Sequence, residues 1–247
     1  MRTKYKKVFK IVGIVFLVIT IGIGFLGYKI SKEFKKMQTI ETNEVISGIY
    51  AINEKFVNFF LVKDSLGYVA IDAGQDIEKI KTELIKLSIN PDSVHTVLLT
   101  HSDDDHVGGL KLFKNASVYI SENEIPMLTG NQRKFWFGKN SLGIDTYSLI
   151  SANQILNAGN TKVKCIETYG HTSGSMSFLI NDSCLFVGDA MILSNGKIAD
   201  PIGFFTMDKK QANNSIKNIT NLQGVSYIFT AHSGYSSDYN YAVSNWE

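Results

Sequence analysis

The sequence predicts an α/β fold of the α+β kind, in which β-sheets carry helices on their outer faces, preceded by an N-terminal transmembrane helix. Three features of the chain point there. Short runs rich in Val, Ile, Tyr and Phe alternate with runs of helical spacing, and sheets in such an order must be covered by helices. An uncharged apolar stretch fills the chain from Ile11 to Gly27. Histidines and aspartates stand just beyond several of the apolar runs.

The first of these elements is the apolar stretch IVGIVFLVITIGIGFLG, in which Thr20 is the only polar side chain. With Tyr28 to Ile30 it approaches the ~20 residues that cross a bilayer as a helix. It is apolar all round, so it is no amphipathic surface helix. The following GYKISKEFKKMQ lacks a small-x-small cleavage site, which favours an uncleaved single-pass anchor in the cell membrane over a signal peptide whose removal would release a secreted protein. Five bases before the span and four after it lean towards a cytoplasmic N-terminus and an extracytoplasmic body. The expected organisation is a basic segment at 1–10, an anchor at 11–30, a stalk at 31–44 and a body at 45–247.

In the body, VISGIYAI, FVNFFLV and YVAIDAG read as three strands. Asp76 to Leu87 has helical spacing, through Ile77, Ile80, Leu84, Ile85 and Leu87. A buried strand follows from His95 to Thr100, then small helical and extended pieces through Ser121 to Met127. TKVKCIET, SMSFLI and CLFVGDA continue the strands, Asp208 to Leu222 is a helix, and VSYIFTAH is the last strand. No Gly-rich phosphate loop of the GxGxxG or GxxxxGK[ST] kind is present.

The formal net charge of +2 hides an asymmetry. Nine of the 25 bases but only one of the 23 acids fall before Met37, leaving a body of net −6. Nucleic-acid binding rests on a basic face, so an acidic body argues against nucleic acid as a partner. The two cysteines, Cys165 and Cys184, cannot make a disulfide scaffold and are either two thiols or one bridge.

The segment T-H-S-D-D-D-H-V-G-G, Thr100 to Gly109, puts His101, Asp103, Asp105 and His106 within six positions. In an extended segment His101, Asp103 and Asp105 share one side, and a turn brings His106 round. Gly108 and Gly109 permit a tight backbone as the chain enters a helix. Imidazole and carboxylate both hold zinc and similar ions. Three further candidates also follow apolar strands: His171 in Y-G-H-T-S-G-S, Asp189 in L-F-V-G-D-A and His232 in I-F-T-A-H-S-G.

This series resembles the metallo-β-lactamase-fold hydrolase superfamily, with its H-x-H-x-D-H motif, G-H-T-x-G-S histidine, bridging Asp and terminal His. The likeness runs from IDAG at Ile71 to AHSG at Gly234. It implies a four-layer αββα sandwich. It also implies two divalent metal ions, zinc first and manganese or iron as alternatives. His101, Asp103 and His171 would hold one ion, Asp105, His106 and His232 the other, and Asp189 would bridge them. Asp72 matches the family's early structural acid. Asp103 stands where the family usually has histidine, which adds a hard oxygen ligand and lowers the positive charge on the metals; a mononuclear site stays open.

The implied activity is hydrolysis of a small-molecule substrate by metal-bound hydroxide, with Asp105 helping to move the proton. Motifs place the chain near the glyoxalase II-like branch. Only fifteen residues follow His232, however, so the glutathione-binding extension of that branch is not expected. Lactones, lactams, esters, other thioesters and phosphoesters remain. The alternatives are a mononuclear iron oxidoreductase of the sulfur dioxygenase type and a noncatalytic membrane-tethered binding protein. Two segments are expected to border the mouth: Asn131 to Gly138, with Phe135, Trp136 and Phe137, and Ile192 to Met207, with Phe204 and Phe205. Ser233 and Tyr235, beside His232, are candidates to reach substrate. Nothing in the sequence sets the oligomeric state.

Overall fold

The computed structural model describes residues 2–134 and 138–246, with 2–10 described by backbone alone. The chain divides into two compact units, Met1–Lys36 and Met37–Glu247. The first is helix α1, Arg2–Phe34. Its side chains from Ile11 onward are almost all exposed, and Ile11–Phe34 is long and apolar enough to cross a membrane. A signal sequence near an N-terminus can also be long and apolar enough to do so.

The second unit begins with β1 (Asn43–Ile46), β2 (Ile49–Glu54), β3 (Val57–Lys63), β4 (Tyr68–Ile71), α2 (Ile77–Lys86), β5 (Val94–Leu98), α3 (Asp104–Val107), β6 (Ser117–Ser121), α4 (Ile125–Thr129) and β7 (Ser148–Ile150). These seven strands form one sheet in sequence order, antiparallel from β1 to β4 and parallel from β4 to β7. Next come β8 (Ile155–Ala158), β9 (Thr161–Glu167), β10 (Met176–Ile180), β11 (Cys184–Phe186), β12 (Ile192–Ser194), β13 (Lys197–Ala199), α5 (Lys209–Thr220), β14 (Tyr227–Thr230), β15 (Gly234–Ser236) and α6 (Tyr239–Val243). Six of them form a second sheet, ordered β15-β14-β11-β10-β9-β8, and β12 and β13 pair as a hairpin.

Side-chain alternation builds the layers. In β3, Phe60 and Val62 pack into the core between the sheets with Ile71, Leu98, Phe178, Phe186 and Phe229, whereas Phe59 and Leu61 face the opposite way. There they meet Ile80 and Leu84 of α2, whose N-cap Asp76 accepts from the Glu78 and Lys79 amides. On the far face of the second sheet, Leu179, Leu185 and Ile228 pack against Ile216 and Ile219 of α5 and against α6. The result is helices, sheet, sheet, helices, as the resemblance implied. Strands buried on both faces appear in the sequence as unbroken apolar runs, because each face has its own partner layer.

Several elements depart from the sequence reading. VISGIYAI is two strands, turned at Gly48 with φ 78°. The chain does not end its strands at VSYIFTAH, since β15 and α6 follow. β7, β8, β12 and β13 are additional. Within the segment expected as a stalk, residues 37–42 lie on the sandwich. The Gln38 amide donates to the His232 carbonyl at 2.7 Å, Asn58 exchanges hydrogen bonds with Ile40, and the Asn53 amide donates to the Thr42 hydroxyl. Cys165 and Cys184 are free thiols on β9 and β11, separated by β10. Burial pushes the Cys165 thiol up to about 11.

Candidate metal centre

The residues of interest sit where the strands end. Asp72 follows β4, and His101 follows β5, which is parallel to it. His171, Asp189 and His232 follow β9, β11 and β14, which all run in one direction, so their exits share an edge. Asp72 sits at φ 65°, a left-handed position that Asp tolerates better than most residues. Its carboxylate accepts from the Thr100 amide at 2.7 Å, the Thr100 hydroxyl at 2.8 Å and His106 Nδ1 at 2.8 Å. His101 Nδ1 lies 3.0 Å from the Thr100 hydroxyl oxygen, which can accept its proton while donating its own to Asp72. His232 Nδ1 donates to the Phe56 carbonyl at 2.5 Å. In this assignment each of the three rings carries its proton on Nδ1 and turns a bare Nε2 inward, the state a metal-ligating histidine needs.

The inward atoms converge. Asp103 Oδ2 lies 3.5 Å from His101 Nε2 and 3.2 Å from His171 Nε2. Asp105 Oδ2 lies 3.8 Å from His106 Nε2 and 3.6 Å from His232 Nε2. Asp189 stands between the two groups, with Oδ1 3.2 Å from His106 and Oδ2 3.4 Å from His171 and 3.1 Å from His232. The ligand atoms of His101, Asp103 and His171 fall within 4.8 Å of one another, as do those of Asp105, His106 and His232 and those of His101, His106 and Asp189. His101 Nε2, His106 Nε2 and Asp189 Oδ1 are buried and make no hydrogen bond. Leaving such atoms unpaired costs about 1–3 kcal/mol each, so the donor set fits a cation, which would satisfy them together.

Electrostatics agree with that fit. Burial, reinforced by the Lys134 ammonium, pushes the His171 imidazole down to about 4, leaving it neutral and able to ligate. Burial would raise the Asp103 carboxyl, but the charges of His101 and Lys134 hold it well below the usual range. Asp189 is likewise held low against its burial by His232, His106 and His171. Burial opposes protonation of His106, yet the Asp72, Asp189 and Asp105 carboxylates raise it. A metal ion among these carboxylates would take over the role of that proton.

The structure brings together all seven residues singled out from the sequence, with one change of local geometry. The extended run ends at Asp103, and Asp105 and His106 lie in α3, so Asp105 turns away from His101 towards His106 and His232. Gly108 and Gly109 have ordinary negative φ; they are small because a Cβ would strike the backbone of Gln75 or Ala73. Ser233 and Tyr235 do not face the centre. Ser233 Oγ accepts from the Leu193 amide, and the Tyr235 hydroxyl donates to the Val45 carbonyl at 3.2 Å. Phe205 lines a cavity of about 390 Å³ beside Asp103, Asp105, Lys134 and Asn140, whereas Phe135, Trp136 and Phe137 lie outside the described residues.

Sequence reasoning missed three supporting residues. Glu124 is fully buried and accepts from Ser102, from Thr172 and from the Gly174 amide, which ties the loop after β5 to the loop carrying His171. Asn140 donates to Asp103 at 3.0 Å, and Lys134 pairs with the same carboxylate.

Fold and site together define a metal-centred α/β protein built at the joined ends of two sheets. The sequence profile of the Metallo-beta-lactamase superfamily matches residues 52–232, and the chain belongs to that superfamily. It is 31% identical over 150 residues, 58% of this chain and 59% of the relative, to a probable polyketide biosynthesis zinc-dependent hydrolase of Bacillus subtilis. It is 27% identical over 164 residues, 62% of this chain and 56% of the relative, to a hydroxyacylglutathione hydrolase of Prochlorococcus marinus. The chain thus spans under two thirds of either relative. Among solved structures, a metallo-beta-lactamase family protein from Thermus thermophilus has a TM-score of 0.63 at 17% identity, over 81% of this chain and 78% of that one, which shows the shared fold.

Proposed function

We propose that the chain is a membrane-anchored, metal-dependent hydrolase of a small ester, thioester, lactone, lactam or phosphoester. The observation that carries this is the convergence of two three-residue His/Asp clusters with Asp189 between them, in which His101 Nε2, His106 Nε2 and Asp189 Oδ1 are buried without a hydrogen-bond partner. His101, Asp103 and His171 would hold one ion and Asp105, His106 and His232 a second, zinc being the first expectation given the zinc-dependent relative. Bound divalent ions supply Lewis acidity and make a nucleophile of water near neutral pH.

The protein's own groups do the rest. Asp72 and Thr100 fix the orientation of His106 and His101, and the Phe56 carbonyl fixes that of His232. Asp105 is the carboxylate with a second task. It lines the cavity, where it can accept a proton from the attacking water and return it to the leaving group. The buried walls around His101, His106 and His171 exclude bulk water from one side and leave the cavity as the approach. Anchoring rests on α1, whose apolar part is exposed along its length.

The test uses the full chain in detergent, metal analysis and a panel of ester, thioester, lactone, lactam and phosphoester probes. Hydrolysis of one probe class, lost in both His106→Ala and His171→Ala, is the expected result. Iron as the bound metal with oxygen consumption, or no hydrolysis in any class after metal loading, would overturn the reading.

A further inference from the structure

One charged side chain in the centre has no part in the ligand scheme. The Lys134 side chain is 7% exposed, and its ammonium pairs with Asp103 Oδ2 and lies 2.7 Å from His171 Nε2. Those two atoms, with His101 Nε2, are the ones that define the first cluster. The other oxygen of Asp103 accepts from Asn140, so the carboxylate is held with Oδ2 towards the lysine. Among the described residues, no lysine or arginine pairs with Asp105 or Asp189.

We propose that Lys134 is a built-in cation of the centre, whose ammonium competes with a divalent ion for the His101–Asp103–His171 cluster. One ion then binds tightly between Asp105, His106, His232 and Asp189, and a second enters only when Lys134 withdraws. Charge supports this division. The ligand set carries three carboxylates, so one divalent ion plus the ammonium brings it to zero, whereas two divalent ions beside a retained ammonium leave +2. Asp103, where the family usually has histidine, is what gives the lysine an anionic partner. A neutral imidazole at 103 would offer the ammonium no charge to pair with.

The inference rests on the metal-centre reading above, and its test separates the two. The full chain in detergent is stripped with a chelator and titrated with Zn(II) against a competing chromophoric chelator, with bound metal counted by elemental analysis. The wild type should bind in two separated steps, the second on the order of a hundredfold weaker. Lys134→Met should tighten the second step by about tenfold or more while sparing the first. Lys134→Arg, which keeps a cation there, should leave it weak. Two equal steps in the wild type, or a second step indifferent to Lys134→Met, would overturn the inference while leaving a metal centre. No binding in either step would overturn both. If Lys134→Met fails to fold by circular dichroism, the same criteria apply to Lys134→Gln and to the step separation in the wild type.

Discussion

Replacing Asp72 with Asn preserves shape and removes a charge at the point where two metal-facing histidines are oriented. The carboxylate accepts three hydrogen bonds through two oxygens, from the Thr100 amide, the Thr100 hydroxyl and His106 Nδ1. An amide has one oxygen and one NH2. With its oxygen on Thr100, the NH2 faces the His106 Nδ1 proton; flipped, it faces the Thr100 amide proton. Either way a buried donor meets a donor, at a cost of about 1–3 kcal/mol. His106 can escape by moving its proton to Nε2, but that blocks the nitrogen turned towards Asp105 and Asp189. Metal affinity should therefore fall about 10- to 100-fold, the usual range when a partner behind a ligand is lost. Competition titration with a chromophoric chelator measures this, and denaturant unfolding in excess chelator isolates the fold's share. Asp64→Asn is the control. That carboxylate accepts from the Leu66 and Gly67 amides and pairs with His95 at the opposite end of β4, so it should cost stability but no metal affinity. Undiminished zinc affinity in Asp72→Asn, or an equal loss in Asp64→Asn, would refute the reasoning.

Glu124→Gln leaves at least one of Ser102, Thr172 and the Gly174 amide without its acceptor, so unfolding should be easier by about 1–3 kcal/mol and zinc binding weaker, both read by titration. Burial would raise the Glu83 carboxyl, but hydrogen bonds from Lys79, Lys86 and Thr42 hold it at about 2, below the ordinary 4.5. Its contribution is therefore present above pH 4.5 and lost as pH falls towards 2. With both lysines part-exposed it should be about 1–2 kcal/mol, so the stability gap between wild type and Glu83→Gln should narrow from pH 7 to pH 3 in denaturant titrations. Zinc at about a hundred times its dissociation constant should stabilise the fold by about 2.7 kcal/mol, and a chelator should remove that gain in a melting experiment. If α1 is a membrane span, the full chain should stay with membranes through an alkaline carbonate wash, and release would count against the anchor.

The long strands and the two longer capped helices of the body, α2 and α5, were legible because each buried face left a periodic trace and each cap a carboxylate. The residues of the candidate centre were legible because they stand in short polar motifs that interrupt the apolar runs, just beyond strands or in the short helix α3 that follows β5. Shorter pieces escaped. β7, β12, β13 and β15 have three residues each, too few to show a period. The β12–β13 hairpin did leave a sign in Asn195-Gly196, both at positive φ, the dipeptide that favours two-residue hairpin turns. Lys134 and Glu124 left none, because their partners lie 31 and 48 residues away in sequence at Asp103 and Thr172. A buried charge is recognised by what surrounds it in space, and a polar segment looks the same whether it ends in water or in a pocket.

The strap at 37–42 bears on where the chain can be cut. A protease acting before Met37 would shed the helix and keep the seam intact. Cleavage after Thr42 would peel away the peptide whose amide holds the carbonyl of His232 and whose Ile40 lies against Gly234, loosening the loop that presents that imidazole. A fragment beginning at Met37 should therefore bind added zinc as tightly as the full chain does, and one beginning at Asn43 more weakly.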